Sequence, residues 1–436
     1  MRVLQRTLVL FLGGCLGGGA PRLAQAQATP PALTLGSLYR QLDAASPQLT
    51  AARASARAAS FRIAPVRTLP DPQLQFGLMN RNLPRLGLQD PLGMNQIQLM
   101  QMVPFPGKLG AAGRGAEARA EASIARAEDL GWELRSQMAA IFYEIYATER
   151  SLAVALETQE LLRDIATTAE RMYAVGEGRQ TDVLRTQVEI NRMTEEILRM
   201  QTMRDALAAR LNALLNAPPD GLVGPAQPPM FPTALPALDS LIGLALAHRP
   251  MLEAGRKDVR AADAAHALAR REIWPDLQLG VIYGQRPMPD GSTDRMASFM
   301  LGFNVPVFAG KRQLTMRRET QAMRDMAAAD LAAMEADTRG RVSVALADLR
   351  QARQLYRLYQ ATLVPQARAT VTSSLAAYQV GDINLMTLLD AQMTVNQYQQ
   401  ALYRLDAVEG QSWAELEMLT GTTLLDPNQT RATEPR

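Results

Sequence analysis

Two hydrophobic rhythms alternate along this chain in a fixed order. The first has period two. Leu74, Phe76 and Leu78 stand against Gln73, Gln75 and Gly77, and Ile97 and Leu99 against Gln96 and Gln98. Further on, Leu277, Leu279, Val281 and Tyr283 alternate with Gln278 and Gly280, and Phe299, Leu301, Phe303 and Val305 with Ser298, Gly302 and Asn304. A strand puts successive side chains on opposite faces, so each segment predicts a ladder with one apolar face and one of amides or small residues. That is the pattern of a sheet separating hydrocarbon from water. Connections rich in Pro, Gly, Asn and Asp, residues 80–94 and 285–295, join the strands into hairpins over 73–103 and 277–305.

The second rhythm has the four-and-three spacing of a helix seam. Leu134, Met138, Ile141, Ile145, Thr148 and Leu152 carry it through a stretch without proline from 111 to 172; as one helix it would extend on the order of 90 Å. After Gly178 the rhythm resumes with Ile190, Met193, Ile197, Met200, Leu207, Leu211 and Leu214, predicting long helices over 110–216. The same elements are predicted over 313–378 and 385–420, with a kink at Pro365. An Ala- and Arg-rich helix precedes each hairpin.

This order of elements occurs twice because the chain is a tandem duplication. Ser46-Pro47-Gln48-Leu49 returns as Arg249-Pro250-Met251-Leu252, and Leu74-Gln75-Phe76-Gly77 as Leu277-Gln278-Leu279-Gly280, both 203 residues on. Val103-Pro104 with Gly107-Lys108 returns as Val305-Pro306 with Gly310-Lys311, at offsets of 202 and 203. Tyr173-Ala174-Val175-Gly176 returns as Tyr378-Gln379-Val380-Gly381 at 205. The expected organisation is a first repeat over 27–216, a linker over 217–236 whose prolines exclude a helix, a second repeat over 237–425 and a flexible tail over 426–436.

Four amphipathic strands cannot close a membrane barrel, and an open edge in lipid leaves amides unpaired, so this reading requires several copies of the chain. Three copies would supply twelve strands; strand arithmetic alone also admits two or six. The helices, with narrow seams, likewise need lateral neighbours. At the strand-to-helix junctions Pro104, Pro106 and Pro306 end the ladders and Gly107 and Gly310 permit the bend. The competing view is a soluble antiparallel sheet beside an ordinary helix bundle.

The N-terminal segment adds an address. Arg2 and Arg6 precede an apolar run that ends in Ala24-Gln25-Ala26, which fits a signal peptide over 1–26. Leu12-Gly13-Gly14-Cys15 also fits lipoprotein processing, in which 1–14 is removed and Cys15 is acylated. Without Arg2, Arg6 and Arg22 the chain has 43 basic and 43 acidic residues, which gives no nucleic-acid footprint. Cys15 is the only cysteine, and His248 and His266, the only histidines, lie in helix-like stretches. Zinc, disulfide and triad chemistry are not supported, and neither a cofactor nor a resident metal is expected.

The motifs resemble the outer-membrane efflux protein (TolC) family over about 35–425. The pair of tip motifs carries the likeness: Tyr378-Gln379-Val380-Gly381 followed by Leu388-Leu389-Asp390-Ala391-Gln392, and its first-repeat partner at Tyr173 followed by Asp182-Val183-Leu184-Arg185-Thr186-Gln187. The resemblance implies a mainly α homotrimer whose twelve-stranded β-barrel in the bacterial outer membrane continues into a long periplasmic α-helical barrel. It implies as partners other copies of the chain, outer-membrane lipids, a periplasmic adaptor and an inner-membrane pump, the RND type among them. Val175, Gly176, Glu177, Gly178 and Arg179, with Val380, Gly381 and Asp382, would form adaptor-facing tips. Tyr378 and Asp390 match gate positions, and Thr387 stands where some members have a second Asp. Pro70-Asp71-Pro72-Gln73 through Gly107-Lys108 is similar to members working with heavy-metal pumps. Met79, Met94, Met100 and Met102 could serve there as soft ligands, although methionines near strands read first as lipid-facing or packing residues. An exit channel for secreted proteins and a pore-less periplasmic scaffold are the alternatives.

Overall fold

The structure is a computed structural model that describes residues 32–80, 93–288 and 290–429. The signal segment with Cys15, most of the first hairpin loop, and residues 430–436 lie outside them. The elements run α1 Leu35–Ala45, α2 Pro47–Phe61, α3 Ile63–Arg67, β1 Gln73–Met79, β2 Met94–Val103, α4 Lys108–Ala174 and α5 Gln180–Leu214. After the linker follow α6 Leu238–His248, α7 Pro250–Arg271, β3 Leu277–Pro287, β4 Thr293–Phe303, α8 Gln313–Leu358, a π-helical turn Tyr359–Leu363, α9 Val364–Gln379 and α10 Leu385–Thr420.

All four strands form one antiparallel sheet in the order β1-β2-β3-β4, so the two hairpins are joined by β2 and β3. Leu99 is opposite Leu74 on one side and Val281 on the other, and Val281 is opposite Phe299, which gathers the apolar sets of all four strands onto one face. The second hairpin is longer than its alternation suggests, because pairing continues through Arg286–Asp294 and Pro287–Thr293. A tight turn makes this extension workable: Met288 N–H donates to Ser292 O, Asp290 accepts from Ser292, and Gly291 takes φ +83°. At the other end β4 stops at Phe303, leaving Val305 outside the ladder.

Of the two readings of the methionines, lipid-facing or packing, the sheet argues against the first and leaves the second standing. Met94, Met100 and Met102 share strand parity with Gln96 and Gln98, and Met79 shares it with Gln73 and Gln75. They occupy the glutamine face, opposite Leu99 and Phe76.

The long helix α4 has 67 residues, about 100 Å. Its seam is buried at Leu134, Met138, Ile145 and Thr148. Its counterpart is continuous from α8 through α9, and the predicted kink takes another form. Pro365 offers no N–H, and the helix widens into the π turn immediately before it. Repeat partners also differ in how they begin. Ser46 caps α2 by accepting from Leu49 N–H, whereas Arg249 makes no side-chain cap on α7. Asp129 of α4 caps α7 instead, accepting from Met251 N–H at 3.1 Å.

Three apolar clusters run along the bundle. One joins α1 to α4, α5 and α10, one lies toward the helical tips, and one packs α6 against α8 and α10 around Trp413. The linker is pinned rather than loose. Arg353, paired with Glu409, donates to Thr233 O and Pro232 O, and Glu149 accepts from Ala226 N–H. Residues 426–429 are not a free tail either, since Pro427 O accepts from Gly36 N–H and Gln429 O from Met230 N–H. Leu33 and Gln429, near the two limits of the described residues, thus both bond to the linker, Leu33 N–H donating to Pro225 O and Met230 N–H to Gln429 O.

Glu417 organises the C-terminal side of that arrangement. Buried near the end of α10, it accepts at 2.7 Å from each of the N–H groups of Leu424 and Leu425. Burial raises its pKa above the ordinary glutamate value, against the opposing pull of those donors and Arg135. Such a group binds its proton more tightly in the folded chain. Its contribution to stability is therefore full below the unfolded value of about 4.3 and is lost as pH rises through the folded one. Glu417→Gln keeps an acceptor for both N–H groups and removes that loss. The thermal midpoint of E417Q should exceed that of the wild type at neutral pH, with the gap closing toward about pH 4; a gap independent of pH would exclude this residue from the titration.

Candidate functional site

The sheet's apolar face is uncovered. Leu74, Phe76, Leu78, Leu99, Val281, Leu301 and Phe303 are all exposed, and Phe299 is 85% exposed. Polar residues bound this band at both ends. Asn95, Gln285 and Arg295 share the face near the hairpin turns, while at the helix end Gln101 donates its amide to Pro70 O and Met102 O. A strand of 11 residues is about 36 Å long and, tilted by about 40°, stands close to the height of an outer-membrane hydrocarbon layer. β1 and β4 are the sheet's edges. Among the described residues no helix is long and apolar enough to cross a membrane.

Where β2 passes into α4, the first junction is locked onto the second repeat. Gly107 takes φ +88° and opens α4. The Lys108 ammonium, with its side chain 6% exposed, reaches Asp276 at 2.9 Å and Glu272 at 3.3 Å and donates to Trp274 O. Phe105 stacks on Trp274 and its N–H donates to Asp276. This clamp escaped the reading of the residues, although the recurrence of Gly-Lys marked its place. Pro104 and Pro106 lie in the same bend, beyond the ladder. The second junction is built differently. Gly310 has no positive φ, so its bend differs from the left-handed one at Gly107, and Pro306 leads into successive turns across 306–312. Val307, Phe308 and Lys311 are exposed there.

The two tips at the far end share one backbone design. Gly176 N–H donates to Tyr173 O and Glu177 N–H to Met172 O; 205 residues on, Gly381 N–H donates to Tyr378 O and Asp382 N–H to Ala377 O. These are Schellman turns, with Gly176 at φ +80° and Gly381 at φ +79°, where a β-branched side chain is strained. Both turns present a valine outward, Val175 and Val380 each being 71% exposed. Glu177, Arg179 and Asp382 are exposed beside them, while Gly178 lies against the backbone of Met172 and Tyr173.

The gate candidates divide between two faces. Asn384 caps α10 by accepting from Thr387 N–H and its hydroxyl. Thr387 and Asp390, three residues apart, are both exposed, whereas Tyr378 is buried among Leu162, Ile190, Leu385 and Leu389. Burial raises the Tyr378 pKa, with the charge of Asp182 adding to it. The single chain does not bring Tyr378 to the surface that carries Asp390.

A family model described as "Outer membrane efflux protein" matches residues 38–217 and 241–422. Several solved structures share the fold at low identity. The outer membrane protein VceC of Vibrio cholerae aligns with a TM-score of 0.77 at 18% identity, over 89% of this chain and 96% of that one. The open state of the MtrE outer membrane channel of Neisseria gonorrhoeae gives 0.75 at 16%, over 90% of each chain. The CmeC outer membrane channel of Campylobacter jejuni gives 0.72 at 14%, over 96% and 95%. No curated protein matches the chain in sequence.

Lys108 offers a direct test of the junction. Lys108→Met keeps much of the stem and leaves Asp276 and Glu272 without their cation, a loss expected to destabilise by about 3 kcal/mol. The measurement is the thermal midpoint of the purified protein. A loss below about 1 kcal/mol would class the clamp with exposed ion pairs.

Proposed function

The chain belongs to the outer membrane efflux protein family, and from that premise we propose that three copies close into one continuous duct receiving cargo from a periplasmic adaptor and an inner-membrane pump. The family is one of outer-membrane channels rather than enzymes, and most of this protein is the helical, periplasmic portion. One observation carries the proposal: an apolar sheet face of membrane height ends in two unpartnered edges and runs straight into helices of about 100 Å.

The duplication suggests how the copies join. Within the chain, β2 of one repeat pairs with β3 of the next, and Lys108 locks that seam. Pairing β4 with β1 of the next protomer repeats the arrangement between chains. It carries Lys311 toward Asp71, the carboxylate among residues 69–73 of that protomer, and Phe308 toward Pro70 and Pro72.

The adaptor would meet the tips through Val175, Val380 and the charged residues beside them. Asp390, repeated three times about one axis with Thr387 next to it, would set a cation-favouring constriction, with Tyr378 packed behind. The pump upstream selects the cargo, because a wide conduit selects little.

Two outcomes test this reading. Purified protein should assemble as a trimer that conducts ions across planar bilayers; Lys311→Glu should lower the trimer yield and Asp71→Lys in the same chain restore it. Absence of conductance would leave a scaffold, and failure of the swap would reject the proposed seam. Separately, Gly176→Val with Gly381→Val should strain the tips by about 1–2 kcal/mol each. These variants should still assemble and conduct but lose efflux in cells carrying the adaptor and pump. Undiminished efflux would exclude the tips from coupling.

A further inference from the structure

Six residues beyond the Gly-Lys motif that follows each hairpin, both repeats carry an arginine: Arg114 of α4 and Arg317 of α8. The residues beside it are not kept, since Gly113 and Gly115 become Met316 and Arg318. Both arginines are exposed, and among the described residues neither has a carboxylate partner. The acids nearby are engaged elsewhere, Glu117 with Arg67, Glu272 and Asp276 with Lys108, and Asp263 with Arg324. Glu319, close to Arg317 in sequence, lies about 160° round α8 from it.

Helical phase fixes the side to which they point. Arg114 precedes Trp132 by 18 residues, about five turns, so the two share a face of α4. The Arg135 guanidinium lies 5.2 Å from the Trp132 ring and 5.7 Å from that of Tyr39 on α1, and pairs with Asp43 there. Arg317 precedes Val342 by 25 residues, about seven turns, and Val342 packs with Leu241 and Ala245 of α6. Both arginines therefore point to the side on which α1 and α6 form a second layer. Such a layer would fill a duct from within, so this side is the outer one. Their height follows from the direction of the helices. A Cα–Cβ bond tilts toward the N-terminus of its helix, and α4 and α8 both begin at the sheet. From about 9 Å past the Gly-Lys motif, the two side chains lean back toward the zone of about 6 Å that headgroups occupy beside the hydrocarbon. The fork of donors on a guanidinium matches phosphate oxygens.

We propose that Arg114 and Arg317 form an outward ring that binds the headgroups of anionic phospholipids in the leaflet facing the periplasm. The inference rests on the duct reading for the outer side and for the threefold repetition that makes two arginines into a ring. Such a ring sets the depth of the barrel in the membrane, because rising or sinking draws guanidinium away from phosphate.

The test is native mass spectrometry of the full-length protein released from vesicles of phosphatidylglycerol and phosphatidylcholine in equal parts. Wild type should retain phosphatidylglycerol over phosphatidylcholine by about fivefold or more, the preference expected of cations beside a charged leaflet. Arg114→Gln should lower that ratio, and Arg114→Gln with Arg317→Gln should bring it close to one. Arg119→Gln removes the same charge about 140° round α4 from Arg114, and should leave the ratio unchanged. Excess glycerol phosphate should not displace the retained lipid, because the ring reads a leaflet rather than a free phosphate. Equal retention of the two lipids by wild type, a preference kept by the double variant, a preference lost as much in Arg119→Gln as in Arg114→Gln, or displacement by glycerol phosphate would overturn the proposal. The same spectra give the oligomeric mass: a monomer would overturn the duct reading instead, while the retained lipid would still decide on the arginines.

Discussion

A backbone amide surrounded by hydrocarbon has no water to bond, and every strand in a bilayer must therefore find its neighbour within protein. That requirement governs this molecule. Its four strands satisfy one another except along the outer sides of β1 and β4, while the face they share is apolar across the height of a membrane. A soluble sheet with this face would have buried it under helices. Here the helices leave the sheet lengthwise and pack on one another, so the apolar face is left for lipid and the edges for other copies of the chain.

The helical part meets a related demand with different means. Narrow seams bury little, and much of what holds the bundle in register is polar. Arg353 and Glu409 tie the linker to α8 and α10, Asp129 caps a helix of the other repeat, and Lys108 joins the exit of one hairpin to the entry of the next. Each of these groups is largely removed from water and has its partners in place. Breaking one would leave a charge stranded, so they constrain geometry more than their net contribution to stability suggests. A long conduit benefits from that economy, because its wall is too thin for a thick core.

The residues alone made the architecture legible where it is written in local periodicity. Alternation marked the strands, the four-and-three seam marked the helices, and the recurrence near 203 residues joined them into two repeats. The tip glycines were also readable, because the Tyr-x-Val-Gly motif ends a helix in both copies. Less visible was anything that depends on residues distant in the chain. Asp129 caps Met251 from 122 residues away, and Lys108 finds Asp276 168 residues away. No local pattern announces either. The methionines are a different case: their parity with Gln96 and Gln98 was available, but counting them with the apolar residues concealed the face on which they stand.

The two repeats also diverge just ahead of their tips. Tyr173 and Tyr378 hold the same place ahead of their tips, yet the first is half exposed and the second is 4% exposed. From the Gly-Lys junction to the tyrosine the second repeat is two residues longer, the offset between repeats growing from 203 at Lys108 and Lys311 to 205 at Tyr173 and Tyr378. What distinguishes the second is the π turn at Tyr359–Leu363. A π turn takes more residues per revolution than an α turn, so the residues beyond it are rotated relative to their counterparts in the first repeat. Together with the different neighbours of α9, that change of phase directs Tyr378 into the bundle, while the backbone of its tip remains the same Schellman turn. Duplication thus supplied two ends of one backbone design, and the second, beyond the wide turn, buries the tyrosine that the first leaves half exposed.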